Sequence, residues 1–293
     1  MMQQMVVTAT GYGETRATHA SNITKIGETV IDFTKAGQPS ELLNQVAGVG
    51  IEQGSGVEHL TAIRSPVLTG GAGAGSFLYL EDGVPLRAAG FGNVNGLMES
   101  ITEHGLINVL SRAPSLTPEG SLTGSVGPHG VYNLDGTAST TIEGDNGTSQ
   151  GLRGTFAINE DGGFRADSGY GQQKTQLRYD FNAPDTRVRA TLATVNVNQE
   201  TAGYVLGPDA YKNPALYKTN PDPDAYRDAW AIRSAVRFER DLDTDTTIAL
   251  TPYMRTNGMN FLMHFQPGKA TETSGHWSGG LLTSYEKRLS GGH

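Results

Sequence analysis

The sequence predicts a mainly β chain in two parts, a small α/β region followed by a long antiparallel meander. Three observations carry that expectation. Glycine accounts for 39 of the 293 residues, about twice its usual share. The glycines separate short runs of Val, Ile, Tyr, Phe and Thr, which is the pattern of many strands and turns. Beyond Pro114, apolar and polar residues alternate with period two in one segment after another, and the connections between segments are by turns tight and long.

In the first part, Gln38 to Val46 reads as a short helix, with Ser40 as its cap and Leu42, Leu43 and Val46 on one face. Val49 to Glu52 reads as a strand, Leu60 to Arg64 as a second, Phe77 to Glu81 as a third and His104 to Leu110 as a fourth. Asp82-Gly83 begins a turn that Pro85 holds. In the second part, Leu152, Gly154, Phe156 and Ile158 point one way and Arg153, Thr155, Ala157 and Asn159 the other. Leu177, Tyr179 and Phe181 share a face, and after a turn at Ala183–Thr186 so do Val188, Ala190 and Leu192, against Arg187 and Arg189. Trp230, Ile232, Val236 and Phe238 are set against Asp228, Arg233, Arg237 and Glu239. Such alternation means long antiparallel strands with one apolar face. The turns Ala183–Thr186 and Asp241–Asp245 are tight, whereas Gln199–Arg227 is long, polar and rich in Pro, Asn and Tyr. Short turns on one side and long loops on the other belong to outer-membrane barrels. A soluble β-sandwich also alternates, but has less reason for loops so unequal.

Composition excludes several functions. Lys and Arg number 22 against 30 Asp and Glu, a net charge of −8, the opposite of a nucleic-acid footprint. There is no cysteine, hence no disulfide, thiolate metal site or cysteine nucleophile. No apolar run reaches the ~20 residues of a membrane-crossing helix; a barrel crosses with strands, whose signal per segment is far weaker. The opening Met1-Met2-Gln3-Gln4-Met5 lacks the basic region and apolar core of a secretory leader.

No motif carries catalysis, a cofactor or a metal. Gly70 to Gly75 is glycine-rich, but a strand-like Ser76-Phe77-Leu78-Tyr79-Leu80 follows, with no nearby lysine, so it is not a phosphate loop. Gly54-Ser55-Gly56 lacks the spacing of a nucleophile elbow. Met254, Met259, Met263, His264 and His276 offer soft-metal donors. Yet Met259, Phe261, Met263 and Phe265 share one parity, that of an apolar strand face, and Asn260, His264 and Gln266 share the other. Asp222-Pro223-Asp224 with Asp209 lacks the spacing of an EF-hand loop and reads as solvated loop.

Several separate stretches resemble the plug domain of TonB-dependent outer-membrane receptors. Val6-Val7-Thr8-Ala9-Thr10 is similar to the TonB box, the extended segment offered to the periplasmic protein TonB. Pro39-Ser40-Glu41-Leu42-Leu43 with Val46-Ala47-Gly48-Val49 resembles the family's "dLL…vPGV" stretch, with Ala47 at its proline. Ala62-Ile63-Arg64-Ser65 resembles the "IRG" strand end, with Ser65 at its glycine. Leu78 to Pro85 resembles "vliDGVP", and His104 to Arg112 the "GGvINIitk" strand. The order and spacing carry the resemblance, over about residues 5–112. The strand and "RGP" turn that the family places before the last of these are absent, since Leu97 to Glu103 runs straight into His104.

The resemblance implies an N-terminal extended segment over 1–20, a plug domain over 21–113 and, over 114–293, seven or eight strands of a transmembrane β-barrel, incomplete beside the family's barrel of about 22. It implies a transporter of a Gram-negative outer membrane and not an enzyme. The expected partners are TonB, outer-membrane lipid and a scarce small ligand such as a ferric siderophore. The competing expectation is a non-transporting β-rich binding protein or a non-functional fragment. With the TonB box at the periplasmic end, Val49–Glu52 is expected to run outward, Leu60–Arg64 inward and Phe77–Glu81 outward. That places Gln53, Ser55, Glu58 and His59 in one ligand-side loop, Arg87, Phe91, Asn93 and Asn95 in another, and Ser65–Gly75 on the far side.

Overall fold

The computed structural model describes residues 5–7, 13–15, 23–34, 36, 39–53, 59–63, 77–86 and 105–288. The chain divides into two compact units, Met1–Ser111 and Arg112–His293.

The first unit mixes short elements. Strands β1 (Met5–Val7) and β2 (Gly13–Thr15) form an antiparallel pair. Helix α1 (Glu28–Thr34), which the sequence reading missed, precedes α2 (Pro39–Leu43). Pro39 itself opens α2, where its missing N–H is no loss. Ser40 is therefore inside the helix and buried, not its cap. The expected continuation to Val46 survives as i→i+3 turns, with Gln45 and Val46 donating to the carbonyls of Leu42 and Leu43, the usual tightening of a last turn. Strands β3 (Val49–Gln53) and β4 (His59–Ile63) form an antiparallel hairpin. Strand β5 (Phe77–Glu81) pairs antiparallel with β6 (Val84–Pro85) and parallel with β7 (Gly105–Val109). Ile51, Ala62, Ile63 and Leu80 are buried.

The second unit is one eight-stranded sheet in which every strand pairs antiparallel with its chain neighbours. The strands are β8 (Glu119–Val126), β9 (Tyr132–Glu143), β10 (Ser149–Asp161), β11 (Tyr170–Asn182), β12 (Thr186–Glu200), β13 (Tyr226–Asp241), β14 (Thr246–Met263) and β15 (Ala270–Lys287). In such a meander alternate connections share an end. Connections 144–148, 183–185 and 242–245 lie at one end, and 127–131, 162–169, 201–225 and 264–269 at the other. The two tight turns expected on one side are there.

The register sorts side chains onto two faces of opposite character. Leu177 stands opposite Leu192, Phe181 opposite Val188, and Val188 opposite Phe238. This apolar face is the exposed one: Leu122, Trp230, Ile232, Met254, Leu281 and Tyr285 are all exposed, and Trp277 is 78% so. On the other face Arg153, Arg178 and Arg255 are buried. There Arg153 pairs with Glu119 at 2.7 Å and Arg178 with Asp180 at 2.6 Å. Arg187 spans Glu239 (2.6 Å) and Asp241 (2.7 Å), and Arg237 meets Glu239 at 2.8 Å. Charges inward and hydrocarbon outward invert the distribution of a water-soluble sheet.

Two assignments need correction. Asp228 has the parity of Trp230 and lies on the apolar face, at the end of β13 nearer the long loops. Met259, Phe261 and Met263 have the parity of Arg255 and lie on the polar face, where the Arg227 guanidinium sits 4.0 Å from the Phe261 ring centroid. Phe265 falls outside β14 altogether. Hydrogen-bond register decides the face along all 18 residues of β14, whereas hydrophobic alternation constrains only the stretch whose outer surface must be apolar.

Candidate functional site

In the first unit, the motif residues prove to hold one another. Asp82 and Gly83 both have positive φ, 48° and 84°, as a two-residue hairpin turn requires. The Asp82 N–H donates to the Val109 carbonyl at 2.9 Å. Its carboxylate accepts from the Ser111 N–H at 3.0 Å and from the Ser111 hydroxyl at 2.5 Å. The Gly83 N–H donates to Asn108 Oδ1 at 3.1 Å. The Asp-Gly turn is thus clipped to the end of β7, 25 to 29 residues further along the chain. A second clip joins α2 to β3: the Asn44 amide accepts from the Ile51 N–H (2.6 Å) and donates to the Ile51 carbonyl (3.0 Å). It does what a neighbouring strand would do, satisfying both backbone groups of an edge residue.

Of the coupling residues expected from sequence, Val6 and Val7 lie in β1, opposite Glu14 and Gly13. Thr8, Ala9 and Thr10 lie outside the described residues. Of the ligand-side candidates, Gln53 and His59 are paired at the end of the β3–β4 hairpin that adjoins the connection 54–58. Ser55, Glu58, Arg87, Phe91, Asn93 and Asn95 lie outside the described residues, as does the glycine-rich run 70–75.

The second unit adds a site that the sequence reading missed. The four connections at one end of its sheet, 127–131, 162–169, 201–225 and 264–269, are linked in series. His129 in the first meets Phe164 in the second edge-to-face, centroids 5.4 Å apart. Phe164 stacks on Tyr217 of the third at 5.7 Å, and the Lys218 ammonium lies 5.6 Å from its centroid. Arg165 donates through Nε and a terminal nitrogen to the Thr219 carbonyl (2.9 and 2.7 Å), and Asn220 Nδ2 donates to the Asp167 carbonyl (2.7 Å). Lys269 in the fourth reaches Asp224 at 2.7 Å and Asp222 at 3.3 Å. The hydrogen bond from Lys269 holds the Asp224 carboxyl below the usual carboxylate range, and the same bond raises the Lys269 ammonium above the usual lysine range.

Asp222 and Asp224 are therefore cation partners of a lysine, and Asp209 pairs with Lys212 at 3.1 Å. Met254 is on the apolar face and Met259 and Met263 on the polar one, so these sulfurs do not converge. Tyr204 and Tyr211 of the third connection are also exposed, and exposed aromatic rings suit a planar or cationic ligand. The contacts between the connections join residues 35 to 54 apart. The only sequence signal was the length and the Pro, Asn and Tyr content of 199–227.

The sequence matches no family model and no curated protein. Solved structures do match. The unliganded ferric citrate transporter FecA superposes with a TM-score of 0.70 at 15% identity, over 91% of this chain and 44% of that one. This chain has the fold of the TonB-dependent siderophore receptors. The ferripyoverdine receptor of the outer membrane of Pseudomonas aeruginosa, solved with ferripyoverdine, matches with a TM-score of 0.70 at 13% identity, over 96% of this chain and 41% of that one. The siderophore receptor PiuA from Acinetobacter baumannii gives 0.64 at 14% identity, over 91% and 42%. The chain spans less than half the length of each. The likeness is to receptors and transporters, not to enzymes.

Proposed function

We propose that this chain supplies the plug and the first barrel strands of an outer-membrane receptor that takes up a scarce ligand, such as a ferric siderophore, with energy from TonB. The observation that carries the reading is the inverted sheet. On the exposed face of β13 the order is Asp228, Trp230, Ile232, Ser234, Val236, Phe238, Arg240. Two charges bracket a stretch that begins and ends on an aromatic ring. From Trp230 to Phe238 is about 26 Å along a strand at ~3.3 Å per residue, or about 20 Å of height at a tilt near 40°, close to the ~25 Å apolar band of membrane barrels. The polar face with its ion pairs then lines a lumen.

In this reading the short turns are periplasmic and the linked loops lie outside the cell. Gln53, Ser55, Glu58 and His59, with Arg87, Phe91, Asn93 and Asn95, are then the ligand-binding residues of the plug. Energy arrives mechanically, because the outer membrane has no nucleotide supply. The segment Val6–Thr10 is handed to TonB and adds to its sheet by backbone hydrogen bonds. Val6 and Val7 are already extended in β1, which supports that role. Val7→Pro in the full-length receptor removes a backbone donor and is expected to abolish uptake while ligand affinity is unchanged. Normal uptake in that variant defeats the assignment.

A further inference from the structure

On the apolar face, amide side chains reach furthest from the long-loop end on β11 and β12. Glu160, Gln173, Asn196 and Asn198 all carry the parity of the exposed apolar residues. They form a connected row. Gln173 Nε2 donates to Glu160 Oε1 at 3.5 Å, and Asn196 Nδ2 donates to Gln173 Oε1 at 2.8 Å and to Asn198 Oδ1 at 3.0 Å. The Glu160 carboxylate lies flat over Gly171, where a Cβ would be 2.7 Å from its oxygen. Beyond Asn198 the same level continues through Asp228, opposite it, to Asn260, opposite Asp228.

The height of this row matters. Asn196 is directly opposite Trp230, so amides occupy on β11 and β12 the level that an aromatic ring occupies on β13. Below them Thr175 faces Thr194, and only at Leu177 opposite Leu192 does the surface become hydrocarbon. The apolar band is thus notched at its outer margin. Acyl chains in the notch offer nothing to the donor and acceptor capacity that the row's own hydrogen bonds leave unused, at a cost in free energy. The row carries two carboxylates, Glu160 and Asp228, and no lysine or arginine, so a bare phosphate is repelled. Sugar hydroxyls donate and accept, as the amides and carboxylates require.

We propose that this notch binds the sugar headgroup of an outer-leaflet glycolipid. The proposal rests on the reading of the exposed face as lipid-facing. The test uses the full-length receptor in nanodiscs containing equal amounts of digalactosyldiacylglycerol and phosphatidylglycerol with matched chains, with retained lipid counted by native mass spectrometry. The wild type is expected to retain the galactolipid preferentially. Gln173→Leu with Asn196→Leu is expected to lower that preference about tenfold, the loss of one or two net hydrogen bonds, with heat-modifiable gel mobility unchanged. Asn196→Ala alone, which only shortens the row, should lower it in the same direction and serves if the double variant does not fold. An unchanged preference in the variants, or a wild type that inserts but prefers phosphatidylglycerol or neither lipid, overturns the proposal. So does a wild type found as a dimer that Asn196→Ala separates, since a second copy then fills the notch. A wild type that neither inserts nor shows heat-modifiable mobility defeats the receptor reading itself.

Discussion

Replacing Leu192 by arginine probes the inverted sheet most directly. Leu192 stands opposite Ser234, which in turn stands opposite Met254. Ser234 is midway between the rings of Trp230 and Phe238 on β13, so Leu192 sits near the middle of the proposed band. An arginine facing lipid at that depth costs about 2–4 kcal/mol, falling to about 0–1 near the interfaces. Ile232, one step inside Trp230, should therefore show an intermediate loss of about 1–2 kcal/mol for Ile232→Arg. Ala231 is its chain neighbour but points to the polar face, opposite Val195 and Asn257. Ala231→Arg places no like charge directly across and should stay within about 0.5 kcal/mol. The assay is urea titration of the full-length receptor folding into liposomes, followed by heat-modifiable mobility. A loss of 2–4 kcal/mol is a shift of about thirty- to several-hundred-fold in the folded ratio. Equal losses at Ile232 and Ala231, or a loss at Leu192 no greater than at Ile232, would refute the assignment of the two faces.

Other consequences can be checked separately. Asp82→Ala removes the carboxylate that accepts from Ser111 twice and should weaken the first unit by about 2–4 kcal/mol; faster hydrogen exchange at β7 amides is the readout, and unchanged protection counts against the clip. The contact of Lys269 with Asp224 requires both charges. Because the carboxyl is held low and the ammonium high, the contact should persist from mildly acidic to moderately alkaline pH. It should be lost on acidification below the usual carboxylate range, and again on alkalinisation above the usual lysine range; a spin-label distance between loops 201–225 and 264–269 reports it, and Lys269→Gln should abolish the pH dependence. For the plug, Arg87→Ala with Phe91→Ala is expected to weaken ligand binding, while changes at Leu68 and Thr69 leave it intact; the reverse pattern requires the plug to be turned over.

Strand positions were legible because period two is a local property. The run Phe77–Glu81 and the turns at 183–186 and 241–245 could be placed from neighbouring residues alone. The apolar parity of β10 to β13 was equally plain, since a surface that must be hydrocarbon permits little else. The motif stretches around Asp82 and Asn108 were visible as motifs, but not as partners. Nothing in the sequence says that an Asp-Gly turn will grip Ser111, because that contact closes 29 residues of chain.

Where the constraint lapses, so did the reading. Near the long loops β14 leaves the band, and Met259, Phe261 and Met263 look like an outer face although register turns them to the polar one. The sequence by itself determined the class of the protein, its strands and the chemistry of each face, because these follow from side chains a few residues apart. Only the tertiary structure decided the linked loops, the clips of the first unit and the amide row beside Trp230. Each is made by hydrogen bonds and ring contacts between strands, and their pairing is a property of register rather than of local pattern.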